Sequence, residues 1–482
     1  MMDNARGISE DWLAAGIGLL VFVLALAAAT GVDLLGWVVS TRIWTEPSAA
    51  LGPVSKAYAG LDGVAALFAT YAGLLVVLAA GAKMLGADAK RFAAAFTAVF
   101  WLSYLSWIVG SHANIAVTTP GDMQKFGISW SLKLTNEAGF IVALLAGLFI
   151  ANFTPAFAAW MQEAIRPELY IKTAIVILGG FLGITAAEKL GFATALMFRG
   201  LAAIIEAYLI YWAVVYFVAR KWFGFSREWA APLASGISIC GVSAAIATGS
   251  AIRARPQVAI MVSSLVVIFS MVEVLVLPFA AQAFLSQEPM VAGAWMGLAV
   301  KTDGAAVASG GITEALILAA NSAQGVNYEK GWILGTTTTV KVFIDVFIGI
   351  WAFVLAVVWT RYINVKEGDK ARAREIWERF PKFILGYVVT FAVILLLAAG
   401  ATAEATGRLK GAMAEANTLR VIFFVMTFFS IGVMSNFRKL WQEGIAKLAL
   451  IYVVCLFGFI VWVGLVISFI FFGGAKPPLA AG

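Results

Sequence analysis

One histidine and two cysteines stand in a chain of 482 residues, and only 13% of it is charged. Each scarcity excludes something. With His112 as the single histidine and no cluster of His, Cys and acids at ligand spacing, neither a metal centre nor histidine acid–base catalysis is indicated. A phosphate loop and a nucleophile elbow are missing too, so neither enzyme activity nor a resident cofactor is expected. Cys240 and Cys455 lie in different apolar segments, and a disulfide framework is not indicated. A soluble domain carries about one quarter charged residues, roughly twice the fraction found here. The net charge of +7 does not point to nucleic acid, because the basic residues are scattered between apolar segments. Anionic lipid headgroups account for them.

What fills the chain is apolar: 62% of the residues are hydrophobic. The apolar runs fall at 12–30, 61–82, 92–111, 131–152, 170–186, 195–219, 231–249, 257–285, 290–320, 331–359, 383–401, 418–435 and 446–472. Most have the length of ~17–25 residues that crosses ~30 Å of hydrocarbon. The expectation is an all-α polytopic membrane protein with about 11–13 such segments. The first run is not a cleavable leader, because Asp3, Glu10 and Asp11 make its leading end acidic. Residues 31–60, with Trp37, Trp44, Pro47 and Pro53, read as a loop or surface helix at the interface. The chain divides into 1–60, a core at 61–360, a basic linker at 361–382 and three further membrane helices in 383–482.

The linker sets the orientation. It holds Arg361, Lys366, Lys370, Arg372, Arg374, Arg379 and Lys382 against four acids, and short basic loops stay in the cytoplasm. Counting outward places Lys83, Lys90 and Arg91, then Arg220, Lys221 and Arg227, then Arg438, Lys439 and Lys447 on the same side. The N-terminus is then cytoplasmic, in a bacterial-type inner membrane. Arg253 and Arg255 obey the rule only if the segments at 231–249 and 290–320 re-enter rather than cross.

Those two segments are also the polar ones. Ser235-Gly-Ile-Ser-Ile-Cys-Gly-Val-Ser243 packs three serines, two glycines and Cys240 into nine positions. Small residues let a backbone or a solute approach, and an opened helix offers N–H donors and a positive dipole end to an anion. Close helix packing is the competing reading. The second run, Val300-Lys-Thr-Asp-Gly304, places Lys301 and Asp303 centrally, where a charge costs ~2.5–3.5 kcal/mol on insertion scales. They either neutralise each other or serve as an anion counter-charge and a proton or sodium site. Lys341 and Asp345 share one helical face at i, i+4, behind Thr336, Thr337, Thr338 and Thr339. Lys301, Asp303, Lys341 and Asp345 could form one network. Glu206 and Glu273 are lone acids with no basic partner one turn away, suited to proton coupling or to a hydrogen bond with another helix. Glu137 sits nearer a membrane end, and His112 with Asn114 marks a helix end.

The run Ser235–Ala247 followed by Arg253-Ala-Arg-Pro256, and Trp295 through Gly310, resemble the YeiH-type sulfate exporter family. So do Arg166 through Gly179 and Val340-Lys341. The resemblance covers roughly 60–360, its most specific piece being Ser-Ile-Cys-Gly, and marks a divergent member. Where relatives carry a His-acid pair followed by Gln, this chain has Lys301-Thr302 and then Ala305, with the acid displaced to Asp303. Where they carry Arg three positions after the lysine, it has Ile344 and then Asp345.

The expectation is therefore a secondary transporter of a small anion, sulfate, sulfonate or a similar oxyanion, coupled to H⁺ or Na⁺. It would work by alternating access between inverted-topology repeats with two broken or re-entrant helices. Ser235, Gly236, Ser238, Cys240, Gly241, Ser243, Lys301, Thr302, Gly304, Ser309 and Gly310 would bind substrate. Asp303, Lys341, Asp345, Glu206 and Glu273 would couple the ion. An anion channel or a carboxylate transporter is the alternative, and a homodimer is compatible with either.

Overall fold

A computed structural model describes the chain apart from residues 1–7, 118–119, 133–137, 189, 364–376, 378–380, 437–445 and 481–482. Glu137 and most of the linker thus lie outside the described residues, as do the side chains of Glu206, Ser243, Asp303 and Asp345. The chain is a helical membrane protein. Among the described residues, eight helices are long and apolar enough to cross a bilayer, or nine if a pair bent by 109° at Phe153–Pro155 counts as one span.

Two compact units interleave along the sequence: Met1–Phe192 with Lys382–Met434, and Ala193–Pro381 with Ser435–Gly482. The first is built from α1 (Glu10–Leu26), α2 (Gly63–Met84), α3 (Ala89–Gly110), α4 (Ala138–Phe153) and α5 (Pro167–Glu188). Further along the chain, α13 (Phe383–Ala398) and α14 (Ala403–Met434) complete it. The second holds most of α6 (Leu190–Phe217), then α7 (Arg227–Ser238), α8 (Val242–Ala251), α9 (Pro256–Leu285), α10 (Pro289–Ala299), α11 (Asp303–Ser322) and α12 (Trp332–Val358). It ends with α15 (Ala446–Cys455) and α16 (Val461–Phe472).

In the first unit α5 is the central strut. Thr390 of α13 donates to the Val176 carbonyl at 2.7 Å, and Lys172 pairs with Asp11 of α1 at 2.9 Å and with Glu168 at 3.2 Å. Asp11 also accepts the backbone N–H of Lys382 at 3.1 Å. One carboxylate therefore fixes α1, α5 and the start of α13. Helices α4 and α14 cross at Gly147 and Gly432. A Cβ at either would come within 2.2 Å of a carbonyl oxygen on the other helix, so small residues set this contact.

The structure adds detail to two expectations here. Residues 31–60, read as a loop or surface helix at the interface, include a small antiparallel hairpin, β1 (Val39–Thr41) with β2 (Leu51–Pro53). The segment read as 418–435 belongs to a helix that starts at Ala403. Its extra turns are amphipathic, with Leu409, Ala412, Met413 and Ala416 buried at helical spacing and Arg408 paired with Glu404 on the exposed side. A window scored on hydrophobicity alone misses such turns.

Candidate functional site

Both polar segments of the second unit are interrupted where their composition indicated. The α7 helix ends at Ser238, and Gly241, at φ 60°, turns the chain into α8. Only glycine takes that conformation without strain. A continuous helix would put Ser235 and Thr248 ~20 Å apart at 1.5 Å per residue. Instead Thr248 Oγ1 donates to Ser235 Oγ at 2.7 Å, so α7 and α8 lie side by side as a helical hairpin. Trp212 Nε1 of α6 also donates to Ser235, at 3.0 Å. The open end is closed by Glu228, whose carboxylate accepts from Arg255 Nε at 3.0 Å, Nη2 at 3.2 Å and backbone N–H at 2.8 Å. The Arg255 side chain, and then its backbone N–H, hold that carboxyl below the usual carboxylate range.

The second interruption, Val300–Thr302, lies between α10 and α11. Here too the chain doubles back. Asn321 Nδ2 at the end of α11 donates to the Ser286 carbonyl just before α10, at 2.8 Å. Thr337 of α12 donates to the Gly293 carbonyl of α10 at 2.7 Å. Glu314 of α11 caps α12 by accepting the N–H groups of Gly331 and Ile333 at 3.0 Å and of Leu334 at 3.1 Å. The C-terminal helices bind this hairpin, through Trp295 Nε1 to the Val461 carbonyl at 2.8 Å and through Glu288 to the Gly474 N–H at 2.9 Å.

Helix α9 relates the hairpins. With 30 residues it is ~45 Å long, and one hairpin base adjoins each of its ends. The two tips meet along its middle. A Cβ on Gly241 would lie 2.4 Å from Val266 of α9 and 3.3 Å from both the Lys301 carbonyl oxygen and Thr302. The Lys301 N–H donates to Glu273 Oε2, two turns further along α9, at 3.0 Å.

Lysines bind the junction. Lys341 Nζ of α12 donates to the carbonyl of Ile239 at 3.0 Å and to that of Lys301 at 3.1 Å, one in each tip. Lys301 Nζ donates to the Leu298 carbonyl and stands 4.8 Å from the centroid of the Tyr211 ring. Both lysines are 1% exposed. The carbonyl ends of α7 and α10, the negative poles of two half-helices, are thus met by ammonium groups. The positive amide ends of α8 and α11 also lie at the tips. Among the described residues, Glu273 Oε1 and the hydroxyls of Ser238, Ser270, Tyr211 and Tyr452 near them, and those of Ser309 and Thr313 further along α11, are buried without a hydrogen-bond partner.

Most of the sequence-derived site residues therefore sit at or beside one junction. Ser238, Cys240, Gly241, Lys301, Thr302, Glu273 and Lys341 are at the tips, with Gly304 in the first turn of α11. Ser235 and Gly236 lie within the first hairpin and Ser309 and Gly310 along α11. Two roles read differently in the structure. Lys301 turns its ammonium to a carbonyl and a ring, and Lys341 bonds backbone rather than closing only on a helical neighbour. Asp303, Asp345, Glu206 and Ser243 lie outside the described side chains, so the network drawn through the two aspartates is not described. Thr336 and Thr338 bond carbonyls of their own helix. His112 begins the short helix Ala113–Ala116 and packs edge-on against Trp44. Tyr211, Tyr452, Ser270 and Thr313 escaped the sequence reading. Ser270 was the readable one, three residues before Glu273 and on the same helical face.

Comparison with known proteins matches residues 126–451 to a family model described as conserved hypothetical protein 698. A UPF0324 membrane protein of Nitrosomonas europaea is 40% identical over 98% of this chain and 97% of its own length. An uncharacterized protein of Archaeoglobus fulgidus is 48% identical over 33% of this chain and 95% of its own. A UPF0324 membrane protein of Rhodopirellula baltica is 29% identical over 82% and 66%. No solved structure matches.

Proposed function

The chain belongs to the conserved hypothetical protein 698 family of UPF0324 membrane proteins, and on that premise we propose that it is a secondary active transporter of a small anion. The observation that carries this reading is the meeting of two helical hairpins midway along α9, with both tips tied to Lys341. Unwound backbone at membrane depth is tolerated where it is buried in protein or lines a cavity, and broken half-helices at the midplane are how many transporters build a substrate site.

The sign of the substrate follows from the half-helix ends. Their carbonyl poles are already met by Lys301 and Lys341, while amide poles and unpartnered hydroxyls remain at the tips. Such a site favours an anion that accepts several hydrogen bonds. Sulfate and sulfonates fit that description, as the resemblance to the YeiH-type exporters implies. On this reading the two hairpin-plus-helix pairs, α7–α9 and α10–α12, are inverted-topology repeats that alternate access. Coupling runs through H⁺ or Na⁺ at one of the buried acids, in a plasma membrane with the N-terminus inside.

A ligand-induced thermal shift on the purified protein tests the reading, because binding stabilises the folded state. Sulfate, methanesulfonate and succinate are compared with and without sodium. Stabilisation by sulfate or methanesulfonate, followed by concentrative uptake into proteoliposomes, is the expected result. A shift with succinate alone moves the substrate to carboxylates. Single-channel currents without concentrative uptake replace the transporter by a channel.

A further inference from the structure

The linker between α10 and α11 is met differently from the carbonyl poles. Asp303 begins the helix, and the backbone N–H of Lys301, just ahead of it, is bonded by Glu273 Oε2 at 3.0 Å. Glu273 is fully buried, and its other oxygen, Oε1, has no hydrogen-bond partner among the described residues. Ser270 Oγ, on the same face of α9, and Ser238 Oγ, at the end of α7, are unpartnered too. Among the described residues, the charged and titratable groups facing Glu273 are Lys301 from the tip, Lys341 from α12 and Tyr452 from α15; the side chain of Asp303 lies outside them. A carboxyl oxygen of the chain itself therefore occupies the Lys301 peptide N–H in the linker between α10 and α11, at the tip where a solute anion would bind.

We propose that Glu273 is a built-in stand-in for the transported anion, displaced from the Lys301 N–H when that anion binds and protonated as it leaves. The inference rests on the reading of this junction as the anion site. One proton from an acid of the bulk solution, hydronium or buffer, bonds to a Glu273 oxygen and leaves that acid as its conjugate base, and the solute brings its own negative charge to the vacated N–H. Two anionic groups cannot share one buried donor without a large electrostatic cost, so binding and proton uptake are a single event. The transporter is then an anion–proton symporter, and sodium is not its coupling ion. Where Glu273 is ionised in the free protein and protonated in the complex, affinity falls about tenfold per unit rise in pH.

Titration calorimetry on the purified full-length protein, with sulfate in buffers of different ionisation heat, tests this directly. The wild type is expected to take up about one proton for each sulfate bound. Glu273→Gln, which keeps an oxygen to accept the Lys301 N–H, is expected to bind sulfate with no proton uptake and with affinity independent of pH. Its melting temperature and elution volume establish that it is folded. Sulfate binding by the wild type without proton uptake, at any pH where it binds, overturns the proposal and leaves the anion reading intact. So does a folded Glu273→Gln variant that still takes up a full proton. Failure of sulfate, methanesulfonate and succinate all to bind overturns both.

Discussion

Lys341 Nζ stands 3.0 Å from the carbonyl oxygen of Ile239, a residue 102 positions earlier in the chain. The bond joins the tip of the first hairpin to a helix that also supports the second, because the same ammonium reaches the Lys301 carbonyl. A primary ammonium suits this position: three donors on a flexible stem serve two carbonyls that converge from different helices.

Replacing Lys341 by Met leaves both carbonyls buried and unpaired at an expected cost of about 1–3 kcal/mol. The melting temperature of the purified protein should fall by several degrees and stabilisation by sulfate should disappear. A Lys341→Met variant that melts with the wild type and still responds to sulfate would show that the ammonium does not hold the tips.

The turn at Gly241 gives a sharper steric prediction. Alanine there adds a Cβ 2.4 Å from Val266 at a φ of 60°, and overpacking of this kind typically costs ~1–3 kcal/mol. Gly411, whose Cβ would meet nothing within 4 Å, is the control. Gly241→Ala should lower the melting temperature and Gly411→Ala should not; equal melting of the two would remove the argument from turn geometry.

Cross-linking checks that the first polar segment doubles back. In a background lacking Cys240 and Cys455, cysteines at 235 and 248 should oxidise to an intramolecular disulfide, because the two native oxygens are 2.7 Å apart. Mass spectrometry of a tryptic digest reads the product. No cross-link under conditions that oxidise an exposed control pair would favour a straight crossing helix.

At the base of that hairpin, Arg255 depresses the Glu228 carboxyl through its side chain first and its backbone N–H second. A depressed carboxyl contributes stability that is present above its unfolded value and lost as pH falls through its folded one. Glu228→Gln should therefore melt slightly below the wild type at neutral pH, and the gap should close on acidification. The pair is largely exposed, so salt should narrow the gap too. A gap that persists unchanged in acid would mean that the carboxyl contributes through packing rather than charge.

The sequence was most readable where physics is local. Apolar length marked the helices, and the small and hydroxyl residues around Gly241 and Lys301 marked both interruptions. Both segments double back as hairpins, the arrangement that the charge rule asked for at Arg253 and Arg255 if those segments re-enter. Partners across the chain were not legible. Glu273 looked solitary because its partner is a peptide N–H from another helix, 28 residues away. Helical spacing pointed from Lys341 only to Asp345 at i, i+4, and the carbonyls of Ile239 and Lys301 that Lys341 also bonds lie 102 and 40 positions away. The turns of α14 before residue 418 were missed because they are half polar, and the β1–β2 hairpin because two three-residue strands leave almost no pattern.

The bond from Lys382 to Asp11 spans 371 positions, and it orders events during synthesis. The first unit is discontinuous: its helices up to α5 emerge first, and the remainder follows only after residues 193–381 have been made. At ~5–20 residues per second, that interval lasts on the order of ten to forty seconds. Throughout it, the small-residue face of α5 at Gly179, Gly180 and Gly183 lacks the α13 and α14 residues that pack on it, whereas Lys172 already has Asp11 and Glu168. The first unit therefore stays half-packed for a time set by the length of the inserted unit.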